Sequence, residues 1–343
     1  MMREPFLQTP ICSLLQCRYP ILQAGMGGVA RAELVSAVSK AGGYGFLGMV
    51  RESPELIAQQ IDLVRRNTNQ PFGVNLIPLA TRPDLFKAEL DVCLAKRVHA
   101  MCFFWGVDAA AVAQAKAAGC IVLYQVGSVA DAIAAEAAGA DIIIAQGFEA
   151  GGHVHGTVSS LVLVPQIASR VRIPVVASGG FASGESLVAA LALGAQGIHC
   201  GTAFLATRES FAHDVHKSAI AAAGSDDTVY TDVFAINWPA GSPVRVLRNA
   251  LTDELGPELL GHDPDEMPWD EIASEDGRPI YRFSTDSPLR NMTGALDELA
   301  LFAGQVSGLI DDIPSAGERV SGIVSTAERT LRRLQQAAVP AAA

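Results

Sequence analysis

The chain has 343 residues, half of them hydrophobic, a formal net charge of −11 and a pI of about 5.1. That acidity argues against a nucleic-acid partner, which needs a basic face, and no apolar run reaches the roughly 18 residues of a membrane helix. Met1–Phe6 carries no apolar segment of the secretory kind, so a cytoplasmic location is expected.

The length fits one large α/β domain with an insertion, or two ordinary domains. Six cysteines stand at 12, 17, 93, 102, 120 and 200. None forms a CxxC pair or has zinc-like spacing with histidine, and no metal site is expected. Buried free thiols in a reducing compartment are the expected state.

Apolar runs alternate with Ala-rich helical patterns through the first ~205 residues. The candidate strands are Pro20–Gly25, Gly43–Val50, Phe72–Ile77, His99–Phe104, Ile121–Val126, Asp141–Gln146, Pro174–Ser178 and Gly197–Thr202. A helix lies between the first two, marked by Leu34, Val35 and Val38. The next has Ser53 as N-cap, Pro54 at its first position, and Leu56, Ile57, Ile61 and Val64 at helical spacing. Helices over Ala109–Ala118, Ala130–Ala138 and Glu185–Leu193 each stop at a glycine, the usual C-terminal signal. Eight βα units in succession predict an α/β chain folded as a (β/α)₈ TIM barrel. A doubly wound sheet would use about six strands.

After the eighth strand the composition changes. Residues 209–290 gain aromatic, Pro and charged residues, as in Trp238-Pro239 and His262–Trp269. They are expected to form a small, mainly helical insertion that lies over the barrel mouth. Helical spacing returns in 291–336, with Leu296, Leu299 and Phe302, then Val320, Ile323 and Val324. The expected organisation is a barrel from 1–208 and 291–336, an insertion at 209–290, and a frayed tail at 337–343.

The chemistry-bearing motifs fall at the C-terminal ends of the strands, where barrel enzymes place their sites. Strand one ends in Gln23-Ala24-Gly25-Met26-Gly27-Gly28-Val29-Ala30. Gly25-x-Gly27-x-x-Ala30 formally matches a dinucleotide fingerprint, but the strand count opposes that reading, and a turn holding a planar ring is preferred. Strand three ends near Asn75, strand five at Gln125 and strand six at Gln146. Burying such amides without partners costs ~1–3 kcal/mol each. A heteroaromatic ligand with ring carbonyls and nitrogens would satisfy them, as would bonds to neighbouring loops.

Strand six leads into Gln146-Gly147-Phe148-Glu149-Ala150-Gly151-Gly152-His153-Val154-His155-Gly156. A Gly-rich loop here lets backbone approach a ligand closely, and His153 is the expected acid or base. His155 is expected to be a solvated loop residue or a second substrate contact. Strand seven ends in Ser178-Gly179-Gly180 and strand eight in Gly201-Thr202, the two positions where barrels commonly hold phosphate. A phosphate site and amides around one mouth suit a flavin mononucleotide. No cysteine lies in Gln146–Gly156, which argues against an IMP-dehydrogenase-like enzyme.

On these residues the chain resembles the FMN-dependent nitronate monooxygenase (2-nitropropane dioxygenase) family. The matching stretches are Pro20–Met26, Gly73-Val74-Asn75, Gln146–His153, Ala177–Gly180, Gly197–Phe204 and Ala303-Gly304-Gln305, of which Glu149–His153 is the most specific. The family includes flavin-dependent enoyl-acyl-carrier-protein reductases and NADH:quinone reductases. The resemblance implies that Ala24, Gly25 and Met26 contact the flavin ring through backbone. It implies that Asn75, Gln125 and Gln146 meet its polar edge or ribityl chain, and that Gly151 and Gly152 pass close to it. Ser178, Gly179, Gly180, Gly201 and Thr202 would hold the phosphate, and His153 would face the substrate. Some relatives carry Lys in place of Gln125, and a neutral amide stabilises negative charge on the flavin less than a cation does.

The implied reaction is oxidation of an alkyl nitronate, or of a nitroalkane after loss of its α-proton to His153, with O₂, giving a carbonyl compound and nitrite. The alternative is an NAD(P)H-dependent flavin reductase acting on a quinone or an enoyl thioester. A flavin-binding barrel with little turnover is the reading from outside enzymology. Self-association as a homodimer is compatible with any of these.

Overall fold

The apolar runs become the staves of a closed parallel barrel. The structure, a computed structural model, describes residues 7–338. Met1–Phe6 and, from residue 339, the expected tail lie outside the described residues.

The chain opens with α1 (Pro10–Leu15), followed by β1 (Ile21–Gln23), α2 (Ala32–Lys40), β2 (Tyr44–Gly48), α3 (Pro54–Asn67), β3 (Gly73–Leu76) and α4 (Pro83–Ala95). Then come β4 (Ala100–Phe104), α5 (Ala109–Ala117), β5 (Ile121–Val126), α6 (Val129–Ala138) and β6 (Ile142–Gln146). A two-residue strand, β7 (Gly152–His153), lies in the loop after β6. It is followed by α7 (Ser160–Ala168), β8 (Val175–Ser178), α8 (Gly184–Ala192), β9 (Ile198–Cys200) and the single turn α9 (Thr202–Leu205). Strands β1 to β6, β8 and β9 close the barrel in chain order, with β9 pairing back to β1. Each of the eight expected strands is present, which settles the TIM barrel and removes the dinucleotide-fold reading of Gly25–Ala30. Thr202, expected at the end of the last strand, starts α9 instead.

Staves buried on both faces explain why the runs read as continuously apolar rather than alternating. One face of the strands, including Leu22, Phe46, Leu123 and Ile144, packs with Ile11 and Leu15 of α1. The other face meets the helices in the larger apolar cluster. The helix signals work as chemistry predicts. Ser53 accepts from Leu56 N, Ser128 from Asp131 N, and Ser183 forms a reciprocal capping box with Ser186. Such caps stabilise a helix by about 1 kcal/mol each.

Residues 209–290 correct one expectation, for they are not mainly helical. They contain α10 (Asp214–Ala222), β10 (Thr228–Thr231), β11 (Val244–Leu247), α11 (Ala250–Glu254), β12 (Glu271–Glu275) and β13 (Arg278–Tyr281). Two antiparallel three-stranded sheets result, one ordered β10-β11-β7 and one in which β12 lies between β13 and β14 (Met292–Gly294). The β10 and β11 sequences, Thr-Val-Tyr-Thr and Val-Arg-Val-Leu, are β-branched and aromatic, which suits a pleated half-buried surface.

The final element, α12 (Ala316–Ala338), buries Val320, Ile323, Val324 and Ala327. It packs on α8, where a Cβ on Gly184 would lie 2.0 Å from Ala327 N. Only glycine at 184 allows that approach. Among the described residues, no helix is long and apolar enough to cross a membrane.

Candidate active site

The loops at the C-terminal ends of the barrel strands enclose a cavity of about 880 Å³. The expected catalytic and cofactor-binding residues line it: Ala24, Gly25, Met26, Asn75, Gln125, Gln146, Gly151, Gly152, His153, Ser178, Gly179, Gly180, Gly201 and Thr202. His155 is not in this lining. It is exposed, with Nε2 3.8 Å from a carboxylate oxygen of Asp131.

The floor is built by close backbone approaches. A Cβ on Gly25 would sit 2.3 Å from the Asn75 Cβ, so glycine there lets Asn75 reach the cavity wall. Asn75 donates from Nδ2 to Cys102 O at 3.1 Å, and Gln146 donates from Nε2 to His153 O at 2.9 Å. Bonds to neighbouring backbone therefore take one donor of each amide. The Gln146 carbonyl oxygen stays buried without a partner among the described residues.

Two further features of the wall fit a ligand. Gly179 and Gly180 have φ of 87° and 81°, a left-handed conformation open to glycine. Their N–H groups and that of Gly201 bond to no other described residue. A Cβ on Gly201 would meet no described atom closer than 3.7 Å, at Met26 Sδ. Donors without acceptors, beside space that a side chain could fill, match the demands of a phosphate. His199 was missed in sequence because it reads as part of a buried strand. Its Nδ1 lies 3.1 Å from Ser178 Oγ, its Nε2 has no partner among the described residues, and burial pulls its pKa down to about 4.

The loop carrying His153 is held from three sides. Glu149 accepts hydrogen bonds from Ser160 N (3.1 Å) and Ser160 Oγ, tying the loop to the start of α7. Arg245 of β11 donates to Phe148 O at 3.0 Å and lies 4.9 Å from the Phe148 ring centroid. The strand register places Gly152 opposite Arg245 and His153 opposite Val244. Behind Gly151 runs the Ala303-Gly304-Gln305 segment, close enough that a Cβ on Gly151 would lie 2.4 Å from Gly304 N. Thr202 Oγ1 accepts from Gly304 N at 3.1 Å, which joins the start of α9 to the same segment.

His153 itself is enclosed by aromatic rings. Its imidazole stacks on Trp238, with centroids 3.8 Å apart and planes 21° apart, and Trp105 and Phe302 lie at 5.6 and 5.9 Å. Nε2 is buried with no partner among the described residues. Burial, then the nearby charge of Arg51, pulls its pKa down to about 3. The imidazole is therefore neutral near pH 7, able to position or hydrogen-bond a substrate and poor at abstracting a proton from a weak carbon acid.

Arg51, Trp238 and the Glu275–Arg278 hairpin also line the cavity. Sequence reading missed them as site residues, although Trp238-Pro239 stood out in composition. Arg51 directly follows the expected second strand, Gly43–Val50, and a charge in that place was the available signal.

A family model described as nitronate monooxygenase matches residues 8–89 and 77–326. A Mycobacterium tuberculosis protein, a (3aS,4S,5R,7aS)-5-hydroxy-7a-methyl-1-oxo-octahydro-1H-indene-4-carboxyl-CoA dehydrogenase, is 34% identical over 93% of this chain and 95% of its own. The solved structure of FabK from Thermotoga maritima superposes with a TM-score of 0.83 at 32% identity, covering 96% of this chain and 99% of that one. Nitroalkane oxidase from Streptomyces ansochromogenes gives 0.78 at 32% identity, covering 95% and 100%.

Proposed function

The chain belongs to the nitronate monooxygenase family of flavin-dependent oxidoreductases, and from that premise we propose that it binds FMN and oxidises alkyl nitronates with O₂ to a carbonyl compound and nitrite. The observation that carries this reading is the neutral, aromatic-walled His153 in the same cavity as the unpaired glycine N–H groups. When bound, FMN supplies the electron acceptor and the route to O₂.

The protein's own residues supply the rest. Gly179, Gly180 and Gly201 would offer N–H groups to the phosphate, and Thr202 and Ser178 would flank it. Ala24, Gly25, Met26, Gly151 and Gly152 would face the ring with backbone, which lets it lie close. Asn75, Gln125 and Gln146 would meet polar atoms of the ring edge or ribityl chain. His153 holds the substrate rather than deprotonating it, because a base with a pKa of about 3 is weak against a nitroalkane α-proton. A preformed nitronate needs no such proton transfer. The expected substrate is accordingly the anion.

A second reading is supported by the size of the cavity, about 880 Å³, near the upper end of the range for small-molecule sites. FMN would take part of that volume and share the rest with a substrate, and one relative is named as a carboxyl-CoA dehydrogenase. On this reading the protein is an NAD(P)H-dependent flavin reductase for a quinone or an enoyl thioester. Steady-state assays separate the two. Nitrite release from propyl-2-nitronate without a nicotinamide supports the first, and NAD(P)H oxidation that needs a quinone or thioester acceptor supports the second.

A further inference from the structure

Arg51 is a cation in the cavity wall that lacks an anion of its own. It follows β2 with φ 59°, a conformation uncommon for a residue with a side chain. Such backbone persists only where the surroundings over-determine it. Here its guanidinium donates to Asn237 O and to Thr285 Oγ1 (3.3 Å), and lies 4.5 Å from the Trp238 ring centroid. Trp238 thus carries His153 stacked on its ring system and Arg51 over it, which places the guanidinium and the imidazole at one corner of the cavity.

The carboxylates around it are committed elsewhere. Glu52 pairs with Arg31 at 3.3 Å. Glu275 and Asp286 both pair with Arg278, at 2.6 and 2.9 Å, and Asp286 acts on Arg51 only from beyond ion-pair distance. Glu89, fully buried beneath the Arg51–Glu52 backbone, has its pKa pushed up to about 8, chiefly by burial. It is mostly uncharged near pH 7 and gives Arg51 little counter-charge. Among the described residues Arg51 makes no ion pair. Withdrawing a cation from water without an anion costs stability, and two neutral acceptors offset only part of that. Of the five guanidinium donors, those not used on Asn237 and Thr285 remain for a ligand.

We propose that Arg51 binds the planar O–N–O anion of the substrate at the corner of the cavity that His153 also lines. The inference rests on the nitronate reading. A guanidinium fork matches a planar oxyanion in a way that an ammonium does not, so the site also accepts inert anions of that shape, nitrate among them.

The test uses the FMN-loaded protein and its Arg51→Met and Arg51→Lys variants. Nitrate is titrated calorimetrically, and propyl-2-nitronate is assayed in steady state. Nitrate binding is expected to weaken about tenfold to a hundredfold in Arg51→Met. Arg51→Lys should recover only part of it. The nitronate KM should rise by a similar factor with kcat changed far less, the pattern of a lost binding contact. Flavin content and melting temperature of each variant show that it is folded, and Arg51→Lys decides the question if Arg51→Met does not fold. Wild-type nitrate affinity and KM in a folded variant would overturn the assignment, as would a wild-type protein that binds no nitrate. A wild-type protein that binds nitrate through Arg51 yet does not oxidise nitronate would keep the anion site and remove the nitronate reading.

Discussion

His153 and Trp238 stack face to face, with ring centroids 3.8 Å apart, although one lies in the loop after β6 and the other in the 209–290 segment. The contact joins the residue nearest the expected chemistry to a segment that also lines the cavity through Asn237, Glu275 and Arg278. It also helps keep the imidazole dry and therefore neutral.

Replacing His153 by Ala should leave FMN bound, because the proposed phosphate contacts come from other loops and the proposed ring contacts of Gly151 and Gly152 are through backbone. Turnover of propyl-2-nitronate should fall by about tenfold to a hundredfold in kcat/KM, the loss of one hydrogen bond to a charged group. Because the imidazole is neutral down to about pH 3, the wild-type rate should show no inflection near the ordinary histidine value of ~6.5. Steady-state rates across pH check both statements, and an inflection there that disappears in His153→Gln would show that the histidine titrates as an ordinary base.

Trp238→Ala removes the stacking partner of His153 and the ring under Arg51. An aromatic pair contributes about 0.5–1.5 kcal/mol beyond burial, so kcat/KM for nitronate should drop by about tenfold. Trp238→Phe should keep most of the activity, since the indole Nε1 has no partner to lose among the described residues. A Phe variant as impaired as the Ala variant would show that the ring face is not what matters.

Much of this site was legible in the sequence. The eight strands announced themselves as continuous apolar runs because both faces are buried, and the glycine loops fell at their C-terminal ends, where only backbone approach explains so many small residues. The 209–290 segment was not legible in the same way. β11 pairs with β7, whose two residues are Gly152 and His153, and no local pattern announces a partner that distant. Arg51 and Trp238 were missed for the same reason. Their role depends on a contact between the β2 loop and the 209–290 segment that only the folded chain creates.

Two glycines separate cofactor binding from folding. Gly201→Ala places a methyl where no described atom lies within 3.7 Å, so the apoprotein should melt within about 0.5 kcal/mol of wild type while losing FMN affinity. Gly25→Ala drives a methyl to 2.3 Å from Asn75 Cβ and should destabilise the fold itself by about 1–3 kcal/mol. Thermal melts and flavin content measured on both variants check the contrast. Full FMN occupancy in Gly201→Ala would remove the phosphate from that loop.

Glu89 gives a stability signature on the alkaline side. Its pKa is raised from 4.5 to about 8 in the folded chain, so its contribution is complete below 4.5 and is lost as pH rises through 8. His199 and His216, lowered from 6.5 to about 4 by burial, contribute in the opposite sense: fully above 6.5, and progressively less as pH falls through 4. Between pH 6.5 and 8 the Glu89 slope acts without opposition from these histidines, at up to ~1.4 kcal/mol per pH unit. Denaturant unfolding across that window should show wild-type stability declining and Glu89→Gln staying flatter. Equal slopes in the two proteins would contradict the assignment.

The most direct measurement is anaerobic mixing of the FMN-loaded protein with propyl-2-nitronate, and separately with NADH and NADPH, while the visible absorbance of the flavin is followed. The expected result is bleaching by nitronate alone, with nitrite released once air is admitted. Bleaching only by a nicotinamide, with nitronate inert, would contradict the nitronate assignment and leave a reductase whose acceptor must then be found.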